Sequence, residues 1–117
     1  MSDDILDIPE FMERVQDDKE LLLELLDIFQ EDFVGKRQSL NEALQTKDLN
    51  KIKEVAHSLK GASGNISAKE MHANFIRLEQ LAKTSDFVQM SGVLQSIDGQ
   101  FELIKQFAAK VKKEFAG

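Results

Sequence analysis

Apolar side chains recur at three- and four-residue steps through almost the whole chain, and this rhythm limits its fold more than any other feature. Leu22, Leu25, Leu26, Phe29, Phe33, Leu40 and Leu44 keep it over one stretch. Met90, Leu94, Ile97, Phe101, Ile104, Ala108, Val111 and Phe115 keep it over another. Such a pattern buries one face of a long amphipathic helix. No run of alternating β-branched residues occurs, so no strand is expected. The reading is all-α.

Turn and cap residues divide the chain into five helices. Asp7 precedes Ile8 and Pro9, and proline is tolerated in a first turn, where its missing N–H is not needed. Ile8, Phe11, Met12 and Val15 form a short stripe that Gln16-Asp17-Asp18 breaks. Asp17 or Asp18 then caps a second helix, expected from about Lys19 to Gln45, with Gly35 as a place where it can bend. Leu21, Leu23 and Ile28 widen its apolar face and are expected to pack on the first helix. Asp48 caps a third helix, which ends near Asn65, a residue suited to a left-handed helix end. Ser67-Ala68-Lys69-Glu70 matches a capping box and opens a fourth helix with Met71, Phe75, Leu78, Leu81 and Ala82 inward. After Lys83-Thr84-Ser85-Asp86 the fifth helix carries the second long stripe, interrupted by Gly92 and Gly99. All eight phenylalanines fit the core pattern. Four amphipathic helices joined by short turns predict an antiparallel up-down-up-down four-helix bundle with a short extra N-terminal helix. One domain over residues 1–117 is expected.

Composition excludes several function classes. The chain has no cysteine and only two histidines, His57 and His72, so thiolate sites, disulfides and a full histidine-ligated zinc site are not expected. A net charge of −6 lacks the broad basic footprint of a nucleic-acid binder. The lysines at Lys105, Lys110, Lys112 and Lys113 suit the solvated end of a helix. Acidic residues at the N-terminus do not resemble a secretory signal, and the longest apolar run is Leu21-Leu22-Leu23. A cytoplasmic protein without a membrane span is expected. No phosphate-cradling Gly-rich loop or Walker lysine motif is present, so the chain should neither bind ATP nor phosphorylate itself.

The third helix carries the chemistry. Leu49, Ile52, Ala56, Leu59, Ser63 and Ile66 form its small-and-apolar face. At about 100° per residue, His57 falls opposite that face and should meet water. Lys53, Lys60, Gly61 and Gly64 lie within about 60° of it. Two glycines inside a helix cost about 1 kcal/mol each relative to alanine, which asks for a reason. An exposed imidazole is a competent nucleophile near neutral pH. A phosphoryl group on it would bring about two negative charges, which Lys60 one turn on and Lys53 one turn back are placed to offset. Gly61 and Gly64 remove side chains that would block a large partner. A lone helical histidine is ordinarily a plain surface or core residue. These neighbours separate His57 from that case, whereas His72 has none of them and reads as a surface or boundary residue.

The run Ala56-His57-Ser58-Leu59-Lys60-Gly61-Ala62-Ser63-Gly64-Asn65-Ile66, followed by Ala68, resembles the signature of histidine-containing phosphotransfer (HPt) domains. The likeness extends over the whole chain in length and helix order, including Leu78-Glu79 in the next helix. It departs at Ser67, where many members have glycine. The resemblance implies that His57 accepts a phosphoryl group from a receiver aspartyl phosphate and passes it to the aspartate of a second receiver. Lys60 would then stabilise the phosphohistidine, Gly61 and Gly64 would give the receiver room, and Glu79 would orient the imidazole. It further implies no cofactor of the chain's own, with Mg²⁺ and most catalytic groups supplied by the receiver. The expected partners are receiver domains of a hybrid histidine kinase and of response regulators, with no nucleic acid or membrane, and the chain is expected to act as a monomer. Two alternatives share the exposed histidine: a receiver-docking module without chemistry, and a piece of a larger histidine kinase. The start at Met1 favours a stand-alone protein.

Overall fold

The computed structural model describes residues 5–116, with side chains described through 114. The described residues form five helices: α1 (Ile8–Arg14), α2 (Lys19–Thr46), α3 (Leu49–Asn65), α4 (Lys69–Lys83) and α5 (Phe87–Ala116). No strand occurs among them. Helices α2 to α5 close a four-membered ring in which α2 packs on α3, α3 on α4, α4 on α5 and α5 back on α2. Short turns join consecutive members, so the bundle is antiparallel, as expected. The 30 residues of α5 span about 45 Å at 1.5 Å per residue, matching the 46 Å long axis of the molecule.

Local chemistry sets where each helix begins. Asp7, Asp18 and Asp48 each turn a carboxylate back onto a free amide of the first turn, of Glu10, Leu21 and Lys51 respectively. Asp86 does the same for Gln89 at the start of α5. Asp18, rather than Asp17, therefore caps α2. Helix α2 ends on Lys47 in the left-handed conformation, φ 55°. Both long helices run unbroken through their glycines, Gly35 in α2 and Gly92 and Gly99 in α5.

The core is the union of the predicted stripes. Leu22, Leu26, Phe29, Phe33 and Leu40 of α2 meet Met90, Leu94, Ile97, Phe101 and Ile104 of α5, all buried. Phe33 stacks on Phe101 with ring centroids 4.0 Å apart, and Phe29 tilts against both. Met71, Phe75, Leu78 and Ala82 of α4 and Ile52, Ala56 and Leu59 of α3 fill the other half. Leu25, Leu44, Leu81, Phe87 and Phe107 are half-buried at the margin. The inward position expected of Phe115 lies outside the described side chains.

Three local expectations are corrected. Leu21 and Ile28 remain 37% and 54% exposed while Leu23 is half-buried against the core, because α1, which meets α2 and is tied to the α3–α4 turn, is only two turns long. Asn65 is the last residue of α3 but not its left-handed end. The chain passes through Ile66 at φ −101°, and Ser67 takes the positive φ of 59°. Ser67 also does not cap α4. Ala68 occupies that position without a side-chain bond, while the Ser67 hydroxyl donates to Glu10 Oε1 at 2.9 Å. A left-handed backbone points that hydroxyl away from the first turn of α4, and buried Ser67 instead joins α3 and α4 to α1.

Candidate functional site

His57 stands at mid-length on the outer face of α3, its side chain 70% exposed. The reason is its neighbours. Ile52, Ala56, Leu59 and Ser63 are fully buried on the other side of the helix and fix its rotation. Ser63 is the one polar member of that face, and its hydroxyl donates to the carbonyls of Leu59 and Lys60 within its own helix. It therefore costs the core no unsatisfied group.

One turn beyond His57, Lys60 reaches across to α4. Its Nζ lies 2.9 Å from Glu79 Oε1, and the other carboxylate oxygen, Oε2, lies 3.5 Å from His57 Nδ1. Glu79 thus bridges the imidazole and the ammonium. Partial burial pushes its carboxyl up, but the hydrogen bond and charge of Lys60, with His57 behind them, outweigh this and hold it below the ordinary carboxylate range. Glu79 is therefore an anion at neutral pH. Ser58, next to His57, accepts a hydrogen bond from Lys36 Nζ of α2 at 2.6 Å, and Lys36 also pairs with Asp32. Sequence reasoning missed Lys36, because its i,i+4 spacing to Asp32 reads as an ordinary surface pair. No ion pair of Lys53 is found among the described residues.

The two glycines of α3 differ. A Cβ built on Gly61 meets nothing within 4 Å, so its open surface is available to another molecule. A Cβ on Gly64 would lie 3.2 Å from His72 Nδ1 and 3.4 Å from His72 Cε1. Gly64 thus lies against the His72 ring, which Gly61 does not. His72 is likewise no idle surface residue: its Nδ1 sits 2.8 Å from the Lys60 carbonyl oxygen. A carbonyl only accepts, so Nδ1 carries the proton.

Two hollows flank the end of α3. On the α2 side, an open hollow of about 210 Å³ is lined by Leu25, Ile28, Phe29, Ala62 and Ile66, together with Asp32 and Asn65. On the α4 side, about 520 Å³ is lined by Gly61, Gly64, His72, Glu10, Arg14 and Lys69, together with Asn65 and Ser67. The wall of the second hollow is α1, held by charge. Glu10 accepts from Lys69 Nζ at 2.7 Å, from the Ser67 hydroxyl and from Arg14. Lys69 first, then Ser67, bring the Glu10 carboxyl down to about 2. The Asp7 amide donates to the Ser67 carbonyl at 2.9 Å.

No group of three or more metal-ligating side chains is assembled among the described residues, and His57 and His72 do not form part of one. No described helix is long and apolar enough to cross a membrane.

The model of the Hpt domain family matches residues 24–112, three quarters of the chain and all of α3 and α4. The chain belongs to the Hpt domain family. The fold of this Hpt domain is also that of a solved structure, histidine-containing phosphotransfer protein B (HptB) from Pseudomonas aeruginosa PAO1. The two superpose with a TM-score of 0.87 at 22% sequence identity, over 96% of this chain and 97% of that one. A search of curated protein sequences found no significant match. Membership makes this Hpt domain a unit of histidine phosphotransfer in a two-component phosphorelay. Such domains carry phosphoryl groups rather than act as kinases, and they interact with receiver domains.

Proposed function

We propose that His57 accepts a phosphoryl group from the aspartyl phosphate of one receiver domain, in a hybrid histidine kinase, and returns it to the aspartate of another, in a response regulator. The observation that carries this reading is the grouping around His57: an exposed imidazole with Nδ1 turned to Glu79, Lys60 one turn on, and open surface at Gly61. With Nδ1 and its proton facing a carboxylate, the nucleophilic lone pair belongs to Nε2. The Nε2–phosphorus bond forms as the aspartyl oxygen–phosphorus bond breaks, and the freed carboxylate stays with the receiver. The imidazole keeps the Nδ1 proton, and Glu79, facing it, holds the orientation of the ring. Lys60 offsets the phosphoryl oxygens. The Mg²⁺ that such a step requires belongs to the receiver.

The receiver is taken to dock over His57 and Gly61, extending onto the apolar hollow beside exposed Ile28 of α2. In this reading the chain works as a monomer in the cytoplasm, without a cofactor, since α2 to α5 complete the bundle within one molecule.

The test uses a receiver domain charged on its aspartate with acetyl phosphate and Mg²⁺. Incubation should place an acid-labile label on the wild-type chain and none on His57→Gln. Label that persists on His57→Gln overturns the assignment.

A further inference from the structure

The His72 ring packs closely on the bare backbone of Gly64. It stands against Gly64, where a Cβ would come within 3.2 Å, and donates Nδ1–H to the backbone carbonyl of Lys60. A side chain reaching a carbonyl inside a neighbouring helix needs that close approach, and Gly64 permits it one turn after Lys60. The ring so held is part of the lining of the polar hollow of about 520 Å³ between α3, α4 and α1. Gly61, four residues from His57, lines the same hollow, so it is continuous with the face where His57 is exposed. With Nδ1 committed to α3, Nε2 is the remaining polar atom of the ring. The charged groups around it largely satisfy one another: Glu10 with Lys69 and Arg14, and Asp7 with Lys69. A partner entering here meets a fixed ring and one imidazole nitrogen rather than a free charge.

We infer that His72 is a recognition residue for the docked receiver, positioned by its bond to the Lys60 carbonyl, and that residue 64 is glycine to seat His72 rather than to admit the receiver. This rests on the reading that a receiver docks over His57. His72 touches no reacting atom. Its contribution lies in holding the receiver, opposite the apolar hollow on the α2 side of α3.

The experiment measures phosphoryl transfer from a receiver charged with acetyl phosphate, at increasing receiver concentration, for the wild type, Gly64→Ala, His72→Ala, the double variant and His72→Asn. Loss of one contact of this kind corresponds to about a five- to tenfold change in affinity. His72→Ala should therefore raise the half-saturating receiver concentration about five- to tenfold, while the rate at saturation and the lifetime of the phosphohistidine stay within about twofold. Gly64→Ala should weaken docking in the wild-type background, because it displaces the ring, and should add nothing once residue 72 is alanine. Asparagine places an N–H where Nδ1 lies but has no counterpart of Nε2, so His72→Asn should keep the wild-type melting temperature and still dock weakly. Equal damage from Gly64→Ala in both backgrounds overturns the inference, because that glycine would then serve the receiver directly. Full recovery of docking by His72→Asn overturns it as well, by reducing His72 to a structural tie. Failure of the underlying reading looks different: the wild type itself would take no label at His57.

Discussion

Lys60 and Glu79 form an ion pair of 2.9 Å between α3 and α4, and the same carboxylate lies 3.5 Å from His57 Nδ1. The cation best placed to receive a phosphoryl group is therefore shared, before transfer, with an anion. A phosphoryl group on His57 competes with Glu79 for Lys60 and is repelled by the carboxylate. Glu79→Gln removes the repulsion and releases the ammonium. Its expected effect is a shift of the transfer equilibrium toward phosphohistidine by about three- to tenfold, the size of a partly screened charge interaction. Lys60→Ala should shift it the opposite way by a similar factor. Both are read from the partition of label between chain and receiver at equilibrium, and shifts of the same sign for the two variants would contradict the shared-cation arrangement.

Gly61 separates folding from docking. Among the described residues, nothing beyond its immediate neighbours and the backbone of its own helix lies within 4 Å of a Cβ at that position. Gly61→Ala should therefore stabilise the fold by about 0.5–1 kcal/mol through helix propensity. The added methyl faces the receiver, so transfer should slow by about ten- to a hundredfold. A thermal melt and a transfer time course on the same sample test both halves. Unchanged transfer would mean that the receiver does not approach over Gly61.

The attachment of α1 should be acid-sensitive. The Glu10 carboxyl is held at about 2, against an ordinary 4.5, chiefly by Lys69 and then by Ser67. Such a depressed group adds stability that is present in full above pH 4.5 and is lost as the pH falls from 4.5 toward 2. Glu10→Gln should lower stability above pH 4.5 and flatten its loss across that window, so that the two curves converge toward pH 2. Denaturant melts of the two proteins at stepped pH measure the difference. Parallel curves through the window would contradict the assignment.

The bundle was legible in the chain because its information is periodic. A stripe such as Leu22–Leu26–Phe29–Phe33 reports which side of a helix is buried whatever covers it, and Asp18, Asp48 and Asp86 mark helix starts within four residues. The HPt signature was legible for the same reason, since His57, Lys60 and Gly61 lie within five residues on one helix. Ser67 was misread because a serine two residues before a glutamate-bearing turn looks like a cap. What overrides this is the positive φ that the α3–α4 turn requires, and a bond to Glu10, 57 residues away in sequence. Ile28 was misread because periodicity gives the width of an apolar face but not what is present to cover it.

From the order of its residues alone, the chain determines five helices, their buried faces and a histidine turned to water, because rotation about a helix axis follows from spacing of a few residues. The tertiary structure alone decides how the two glycines near His57 differ. Gly61 opens onto solvent, whereas Gly64 lies against the His72 ring from α4. It also decides that Lys60 rests on Glu79 rather than standing free. Both depend on how α4 lies against α3, a relation between segments that no local spacing encodes.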